Sequence, residues 1–429
     1  MANPNKKDSC ERMRDFAKRY DVHTVAAAIR QDGEWQNCSQ SSEESGLPIE
    51  ARRFPIASVT KTFTAEQLLK TLATEKITVE SPVRHILPDF TMQQPATAKG
   101  SRNISQNITI AEVLSHRFGI PPHTWAWVFT ELNRQQFVQQ RLPHLAPVGL
   151  WHESYRYSNV GYMLAGVLGE KVANASWEKQ IQTSILDRLG MSNTGFLAPG
   201  WEKIPGMAHP FRAGESIPAF HAQKNHPIAP ASEMFSTLTD LQRWADHLLQ
   251  GEPDQAKWTH QVAINSFRSY GFGWRIEQLE GRKHVWHTGS CSGYSSLISL
   301  LPESKQAVVL LCNSHGLTDE LLNLAFASFE SKARRKQARI KPLAPPPEIT
   351  ERYEHSGIYE HPGYGQIEIT KGAIKLNQQA AGFLRSPTEW WMAPYRFGIQ
   401  CHLDRKPARP VFSAKLESKL PPIKFVLKD

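Results

Sequence analysis

The chain has 429 residues, of which 40% are hydrophobic and 21% are charged, and its formal net charge is +9. This composition excludes wholesale disorder, and the length predicts two domains or one large domain with a small one. The densest basic stretch, Ser331 to Lys341, is interpreted as a helix end that enters a linker. It lacks interleaved aromatic residues, so no nucleic-acid partner is expected.

The cysteines and the N-terminal residues indicate a compartment. Five cysteines are widely spaced and form no CxxC pair, which predicts neither a disulfide framework nor a zinc site; they are Cys10, Cys38, Cys291, Cys312 and Cys401. The polar opening "MANPNKKDSCERMRDFAKRY" is unlike a secretory signal, and no apolar run reaches the length of a membrane span. We therefore expect a soluble, cytoplasmic protein without a membrane span.

The first predicted elements are a helix over residues 8–17 and a β-hairpin that turns at Asp32-Gly33. "FPIASVTKTFTAEQLLKTLATEKI" then passes from an apolar stretch into a helix, since its apolar residues recur at helical spacing. "ITIAEVLSHRFGI", residues 108–120, is interpreted as one helix that ends at a glycine.

Two further helices follow in the central region. "NVGYMLAGVLGEKVA" has the pattern of an amphipathic or buried helix. "SEMFSTLTDLQRWADHLLQ" contains Ser236 or Thr239 as the cap of a helix that turns Leu241, Trp244 and Leu248 inward. Both helices lie between β-rich regions of the chain.

The sequence pattern changes from helical periodicity to short β-rich runs after residue 269. Four short apolar runs, separated by Gly, Pro and polar turns, are typical of successive antiparallel strands; they are "YGFGWRIEQL", "KHVWHTG", "YSSLISLLP" and "QAVVLLCN". A last helix is predicted over about residues 319–335. Strands at both ends, with helices between them, predict an α+β domain: one antiparallel sheet flanked by helices, with an inserted helical region.

A Pro-rich stretch separates this domain from the tail. "IKPLAPPPEIT" is interpreted as a linker, and the Gly-punctuated alternation beyond it predicts a small β-barrel. The predicted organisation is a catalytic domain over 1–340, a linker over 341–350 and a barrel over 351–429.

A candidate nucleophile lies where the apolar stretch becomes a helix. Ser58 and Lys61 are three residues apart, so on a helix they share one face and the amine can reach the hydroxyl. Serine is a poor nucleophile unless a base takes its proton, and a lysine whose pKa is depressed by burial can be that base. The same spacing also occurs at Ser176 and Lys179, where Ser176 is interpreted as a helix cap and Lys179 as solvated.

Two more motifs follow Ser58 in a defined order. Tyr157 and Asn159 form a Tyr-x-Asn stretch before a helix, and "WHTGSCSG" places His287, Thr288 and Gly289 on a presumed strand. In this order the three motifs resemble those of the penicillin-recognising serine hydrolases, which include DD-peptidases, class C β-lactamases, esterases and D-aminopeptidases. The resemblance spans about residues 21–330 and implies a β-lactamase/transpeptidase-like fold. The tail resembles the lipocalin-like barrel of some members, including the D-aminopeptidase branch.

The resemblance implies a role for each matched residue. Ser58 would be the acylated nucleophile and Lys61 its proton acceptor, while Tyr157, as phenolate or hydrogen-bonded phenol, would relay a proton to or from the leaving group. Asn159 would hold Lys61 or a substrate amide. The backbone N–H groups of Ser58 and Ser290 would form the oxyanion hole.

The third motif, His287-Thr288-Gly289, would bind substrate. Gly289 would let the substrate backbone lie close to the strand edge. Many penicillin-binding members have lysine where this chain has His287. Neutral histidine suits a substrate carboxylate less well, which makes antibiotic hydrolysis a weaker expectation. "SHRFG" is a second departure, and the sequence gives it no consequence.

Several alternatives stay open at this point. The expected activity is acyl-enzyme hydrolysis of peptides, amides or esters, including those with D-amino acids. A peptide cyclase or transacylase that releases a peptidyl thioester is the first alternative, and a non-catalytic sensor or scaffold is the second.

Trp125, Trp127 and Trp151 are interpreted either as walls of an acyl pocket or as core. The expected partner is a small-molecule or peptide substrate, the oligomeric state is unknown, and the histidines form no tight ligand set, so no metal or cofactor is expected.

Overall fold

The fold is known from a computed structural model, which describes residues 9–44, 46–93, 106–148, 152, 154–220, 225, 227–252, 255–335, 355–392, 397–404 and 410–428. The described helices are α1 (Ser9–Arg19), α2 (Thr60–Thr74), α3 (Val83–Ile86), α4 (Ile110–Leu114), α5 (Thr124–Trp127), α6 (Arg134–Gln140), α7 (Asn159–Ala173), α8 (Trp177–Ile181), α9 (Asp187–Leu189), α10 (Ala229–Ser232), α11 (Leu238–Gln250) and α12 (Thr318–Ser328).

The strands fall into two groups along the chain. The first is β1 (Thr24–Gln31), β2 (Glu34–Asn37), β3 (Gln40–Ser41), β4 (Phe54–Pro55), β5 (Gly195–Phe196), β6 (Phe211–Arg212), β7 (Glu215–Ser216), β8 (Met234–Ser236), β9 (Val262–Asn265), β10 (Arg268–Tyr270), β11 (Arg275–Leu279), β12 (Arg282–Cys291), β13 (Tyr294–Leu301) and β14 (Gln306–Cys312). The second is β15 (Gly357–His361), β16 (Gly365–Thr370), β17 (Ala373–Leu376), β18 (Gln379–Ser386), β19 (Glu389–Met392), β20 (Phe397–Asp404), β21 (Val411–Ala414) and β22 (Ile423–Leu427).

The main sheet joins strands from both ends of the first region. Its order is β2-β1-β14-β13-β12-β11-β10-β9, and β3 also pairs with β1. The early strand β1 lies antiparallel to the late strand β14, with Ala28 opposite Val309. The α+β prediction of one antiparallel sheet with an inserted helical region is therefore confirmed.

Helices cover both faces of this sheet. On one face, Phe16 of α1 and Phe326 of α12 pack with Leu310 of β14. On the other face, Phe63 of α2 and Trp244 of α11 stack with their ring centroids 4.3 Å apart, in a cluster that includes inward residues of β13 and β14. Alternation of the sheet side chains between two apolar layers explains why β13 is buried along its whole length.

The tail forms a closed barrel of eight strands, β15 to β22, in which each strand pairs with its neighbours in chain order and β22 returns to β15. The predicted β-barrel is thus confirmed. Its interior residues and those of the inserted helices form one apolar cluster, which includes Ile120, Leu145 and Tyr364. The linker predicted over 341–350 lies outside the described residues, so the domain boundaries stay predictions.

Local details differ from the sequence predictions. The helix predicted over 108–120 is only α4, because Thr109 begins it with a capping box and the chain then turns through His116 (φ 61°) and Gly119 (φ 81°). The cap of α11 is Thr237, whose hydroxyl accepts from the Asp240 N–H, and the last helix of the first region ends at Ser328.

The prediction that the cysteines form no disulfide framework is wrong for one pair. Cys10 of α1 and Cys38 after β2 form a disulfide with their Cα atoms 4.6 Å apart. Met13 and Phe16 of α1 are buried against the sheet, and this packing brings the two cysteines together across 28 positions of sequence. Sequence spacing could not reveal a contact made by tertiary packing.

Candidate active site

Ser58 lies in a constrained turn at the start of α2. Strand β4 leads through Ile56 into a 3-10 helix over Ala57–Val59, and Ala57 has a φ of 45°, which is uncommon for a residue with a side chain. The Ile56 carbonyl accepts from Ser296 Oγ of β13 at 2.7 Å, so the sheet holds the turn. Ser58 is half-buried, with its hydroxyl at the helix entrance.

Lys61 lies one turn farther along and is fully buried. Its Nζ contacts Ser58 Oγ at 3.0 Å, Asn159 Oδ1 at 2.7 Å and the Ala231 carbonyl at 2.8 Å. Asn159 begins α7, and Ala231 belongs to α10, so three helices fix the amine. The carbonyl of Ala231 is a partner that sequence reasoning missed, because no side chain signals it.

Tyr157 comes from the chain just before α7 and completes the contacts of the serine. Its hydroxyl donates to Ser58 Oγ at 2.7 Å, and its ring lies 4.8 Å from Lys61 Nζ. Residues separated by about a hundred positions therefore meet at one oxygen atom, as the motif order predicts. Asn159, two positions on, bonds the lysine, which is one of the two roles predicted for it.

Strand β12 brings the third motif to the same place. A Cβ added to Gly289 would lie 2.1 Å from the Ile56 carbonyl oxygen, so only glycine lets this strand lie against the Ser58 turn. β12 pairs with β11 only from Arg282 to Trp286, which leaves the 287–291 segment without a β11 partner. Thr288 is half-buried there and Ser290 is exposed.

His287 is buried beside them, and both of its ring nitrogens contact protein atoms. Nδ1 lies 2.8 Å from the Thr288 carbonyl, which can only accept, so Nδ1 carries the hydrogen. Nε2 therefore accepts from the Tyr270 hydroxyl at 3.1 Å. Burial, followed by the charges of Arg275 and Lys61, holds the pKa of His287 well below its usual value, so the ring is neutral.

Arg275 of β11 is a site residue that the sequence analysis missed. Its Cζ lies 5.5 Å from the centre of the Tyr157 ring and 5.1 Å from that of Trp286. Its Nη1 is buried without a hydrogen-bond partner, while Tyr155 and Asp319 lie near enough to interact with its charge. Nothing in "GFGWRI" signals this position, which follows from the pairing of β11 with β12.

Burial and positive charge set the protonation states of the two groups around Ser58. Burial, followed by the charge of Arg275, holds the pKa of Lys61 well below its usual value. Burial also raises the pKa of Tyr157, although Arg275 and the Ser58 hydrogen bond oppose this shift. Both shifts favour the uncharged form of the group, the amine of Lys61 and the phenol of Tyr157.

The other sequence expectations have mixed outcomes. Trp125 and Trp127 of α5 are half-buried against the apolar cluster shared with the barrel, whereas Trp151 lies outside the described residues. Within the described ranges, His, Cys, Asp and Glu side chains form no group that could hold a metal ion. None of the described helices combines the length and apolar character needed to cross a membrane.

A family comparison matches most of the first region. The model of the family described as "Beta-lactamase" matches residues 11–329. The chain is 25% identical over 378 residues to "Unguisins hydrolase ungD'" of Aspergillus campestris, covering 74% of this chain and 68% of that protein. It is 26% identical over 276 residues to "Protein flp" of Staphylococcus aureus strain COL, covering 61% of this chain and 53% of that protein, so it spans about half of the latter.

Solved structures share the fold. A class C β-lactamase superposes with a TM-score of 0.63 at 17% identity, covering 78% of this chain and 99% of that one. A D-stereospecific amidohydrolase from Streptomyces sp. superposes with a TM-score of 0.60 at 22% identity, covering 75% of this chain and 98% of that one. At these identities the likeness establishes the fold, which is that of the β-lactamases.

Proposed function

Because this chain belongs to the β-lactamase family, we propose that it is a serine hydrolase that forms an acyl-enzyme from a peptide, amide or ester. One observation carries the proposal: Lys61 Nζ and the Tyr157 hydroxyl both lie within hydrogen-bond distance of Ser58 Oγ. A serine between a buried amine and a phenol has the base and the acid that acyl transfer requires.

In the proposed acylation, the neutral Lys61 amine takes the Ser58 proton as Oγ bonds to the substrate carbonyl carbon. Lys61 can donate to Asn159 and to the Ala231 carbonyl while its lone pair faces Ser58. The bond to the leaving group then breaks, and the Tyr157 phenol gives that group a proton. The proton held on Lys61 restores Tyr157. Water then attacks the ester carbon, the bond from that carbon to Oγ breaks, and one proton of the water passes through Lys61 to Oγ, which releases the acid and Ser58.

The oxyanion that forms when Ser58 attacks the substrate carbonyl needs hydrogen-bond donors. The backbone N–H groups of Ser58 and Ser290 are proposed for this role, since Gly289 packs against Ile56 and so brings the two segments together. Thr288 and Gly289 would hold the substrate backbone along the free edge of β12. His287 would support that edge through its bonds to Tyr270 and to the Thr288 carbonyl.

Arg275 suggests the charge of the substrate. His287 is neutral and has no free ring nitrogen, so it cannot replace the cation that lysine provides in many relatives. The unpartnered Nη1 of Arg275 can supply that charge instead. We therefore propose a substrate that presents a carboxylate or a carbonyl oxygen to Arg275, with a D-configured amide as the first class to test, given the D-stereospecific relative.

The experiment that tests the nucleophile is covalent labelling with a fluorophosphonate probe. Wild-type protein should take up one label, and Ser58→Ala should take up none. Ser176→Ala is a matched control because Ser176 has the same Ser-x-x-Lys spacing, and it should label like the wild type. Labelling that persists in Ser58→Ala would remove Ser58 from its proposed role.

A second experiment separates hydrolysis from transfer. D- and L-alanine p-nitroanilides are supplied with and without an added amine, and the products are identified by mass spectrometry. Free D-alanine as the main product supports a D-selective amidohydrolase. Release of p-nitroaniline with the acyl group on the added amine would instead favour the cyclase or transacylase.

A further inference from the structure

The segment Ser115–Thr124, "SHRFGIPPHT", links two parts of the molecule that are far apart in sequence. It follows α4 and reaches the start of α5. Both His116 (φ 61°) and His123 (φ 42°) have left-handed backbones, which cost about 1 kcal/mol or more for a residue with a side chain. Such conformations persist only where the surrounding contacts fix them.

On one side, the segment holds the chain on both sides of Tyr157. The Arg156 N–H donates to the His116 carbonyl at 2.8 Å, and the Ser158 N–H donates to His116 Nδ1 at 3.2 Å. The Ser158 hydroxyl donates to the Pro121 carbonyl at 3.1 Å. The His116 ring also packs on the Tyr157 ring, with the centroids 4.6 Å apart. The position of the phenol therefore depends on this segment.

On the other side, the segment is bonded to the barrel. His123 Nε2 lies 2.9 Å from the Ala146 carbonyl, which can only accept, so Nε2 carries the hydrogen and Nδ1 accepts. The partner of Nδ1 is the hydroxyl of Tyr364, which donates at 2.7 Å from the barrel. Beside it, the Thr124 N–H donates to Glu417 Oε1 of the barrel at 3.0 Å. His123 and Tyr364 are both buried, so water does not replace this bond readily.

We propose that Ser115–Thr124 is a positioning segment through which the C-terminal barrel fixes the Tyr157 phenol. The inference rests on the proposed function, in which Tyr157 gives a proton to the leaving group. The barrel then contributes to catalysis without touching the substrate. Its residues Tyr364 and Glu417 are positioning residues, which set the geometry in which Tyr157 donates its proton. It also gives the "SHRFG" departure a consequence that the sequence alone did not provide.

The test uses the full chain and two esters with the same acyl group, phenyl butyrate and p-nitrophenyl butyrate. Phenoxide is the more basic leaving group and depends more on a proton from Tyr157. Tyr364→Phe should lower kcat/KM for the phenyl ester about tenfold and for the p-nitrophenyl ester about twofold or less, because general-acid catalysis is worth on the order of 10²–10⁴-fold when intact. kcat/KM is the right quantity because it reports acylation.

Tyr359→Phe is the matched control. Tyr359 is a buried barrel tyrosine whose hydroxyl contacts His355 of the barrel at 2.7 Å, so its loss removes a comparable hydrogen bond. It should leave the ratio of the two esters at the wild-type value. A Tyr364→Phe variant that lowers both esters equally, or that behaves like Tyr359→Phe, would overturn the proposal.

A double variant tests whether Tyr364 acts through Tyr157. Tyr157→Phe should itself produce the selective loss on the phenyl ester, and adding Tyr364→Phe should cost nothing more. If the losses in kcat/KM from Tyr157→Phe and Tyr364→Phe multiply in the double variant, Tyr364 does not act through Tyr157 and the proposal fails. If wild-type protein cleaves neither ester, or Ser58→Ala cleaves them equally well, the proposed function fails instead.

Glu417 provides a second route if Tyr364→Phe does not fold. Burial raises the pKa of Glu417 to about 7, so a neutral side chain is compatible with its position. Glu417→Gln keeps an oxygen for the Thr124 N–H and should retain the wild-type ester ratio. Glu417→Ala removes that oxygen and should show the selective loss on the phenyl ester, and equal ratios in the two variants would count against the proposal.

Discussion

Two Ser-x-x-Lys stretches in this chain have the same spacing and opposite surroundings. At Ser58 the lysine three residues on is fully buried, and its amine contacts the serine hydroxyl, Asn159 Oδ1 and a backbone carbonyl. At Ser176 the hydroxyl accepts from the Lys179 backbone N–H at 3.2 Å, and both side chains are exposed. The first stretch places an amine against a hydroxyl in the candidate active site, and the second caps α8.

The difference arises from packing rather than from the motif. A charged amine loses its hydration when it is buried, so its proton affinity falls. Lys61 is enclosed by α2, α7 and α10 and lies near the charge of Arg275. The spacing brings an amine within reach of a hydroxyl, and burial among other helices lowers the pKa of that amine.

The largest expected effect comes from exchanging each lysine for methionine. Lys61→Met removes the proposed base while keeping an unbranched side chain of similar length, and it should lower kcat/KM for p-nitrophenyl butyrate about 10³-fold. Lys179→Met changes an exposed side chain and should leave the rate at the wild-type value. Circular dichroism would show that both variants are folded. Comparable rates for Lys61→Met and wild type would mean that another group takes the Ser58 proton.

The second-largest expected effect tests how the charge of Arg275 influences the pKa of Lys61. The charge of Arg275 helps to hold the pKa of Lys61 low, so Arg275→Gln should raise that pKa. In the proposed mechanism activity requires neutral Lys61 and therefore rises with pH through its pKa, so the acid limb of the pH profile of kcat/KM should move to higher pH. The profile is measured with p-nitrophenyl butyrate, an uncharged substrate, so lost substrate binding does not mimic the shift.

Arg275→Lys is the matched control for that experiment because it keeps the charge. Its acid limb should stay close to that of the wild type. If both variants give the wild-type profile, the charge of Arg275 does not act on Lys61, and the low pKa comes from burial alone. A limb that moves to lower pH in Arg275→Gln would contradict the sign of the argument.

Much of the fold follows from local patterns in the sequence. The turn at Asp32-Gly33 has positive φ at both residues, as the hairpin signal predicts, and α7 occupies the whole predicted stretch from Asn159 to Ala173. The barrel was predictable from strand alternation and glycine punctuation. These features depend on a few neighbouring residues, so periodicity and turn chemistry suffice.

The rest depends on contacts between distant segments. The order of the sequence motifs predicted that Ser58, Lys61 and Tyr157 share one site. Arg275 reaches that site through the pairing of β11 with β12, which no motif indicates. The bond between His123 and Tyr364 spans 241 positions of sequence, and a single histidine or tyrosine in a loop gives no sign of it. Sequence patterns therefore predicted which side chains meet at Ser58 better than they predicted the charge and the scaffold around them.

The smallest expected effect is on stability, at the second Ser-x-x-Lys stretch. Ser176→Ala removes the side-chain oxygen that accepts from the Lys179 N–H at the start of α8, and loss of such a cap costs about 1 kcal/mol. The free energy of unfolding from urea titration should fall by about that amount, with an unchanged m-value and an unchanged rate on p-nitrophenyl butyrate. Ser176→Asp restores an acceptor and should recover most of the loss, because aspartate also caps helices and suits the positive end of the helix dipole. A rate loss in Ser176→Ala without loss of stability would reverse the assignment, since a serine that acts only as a cap changes folding and leaves the chemistry alone.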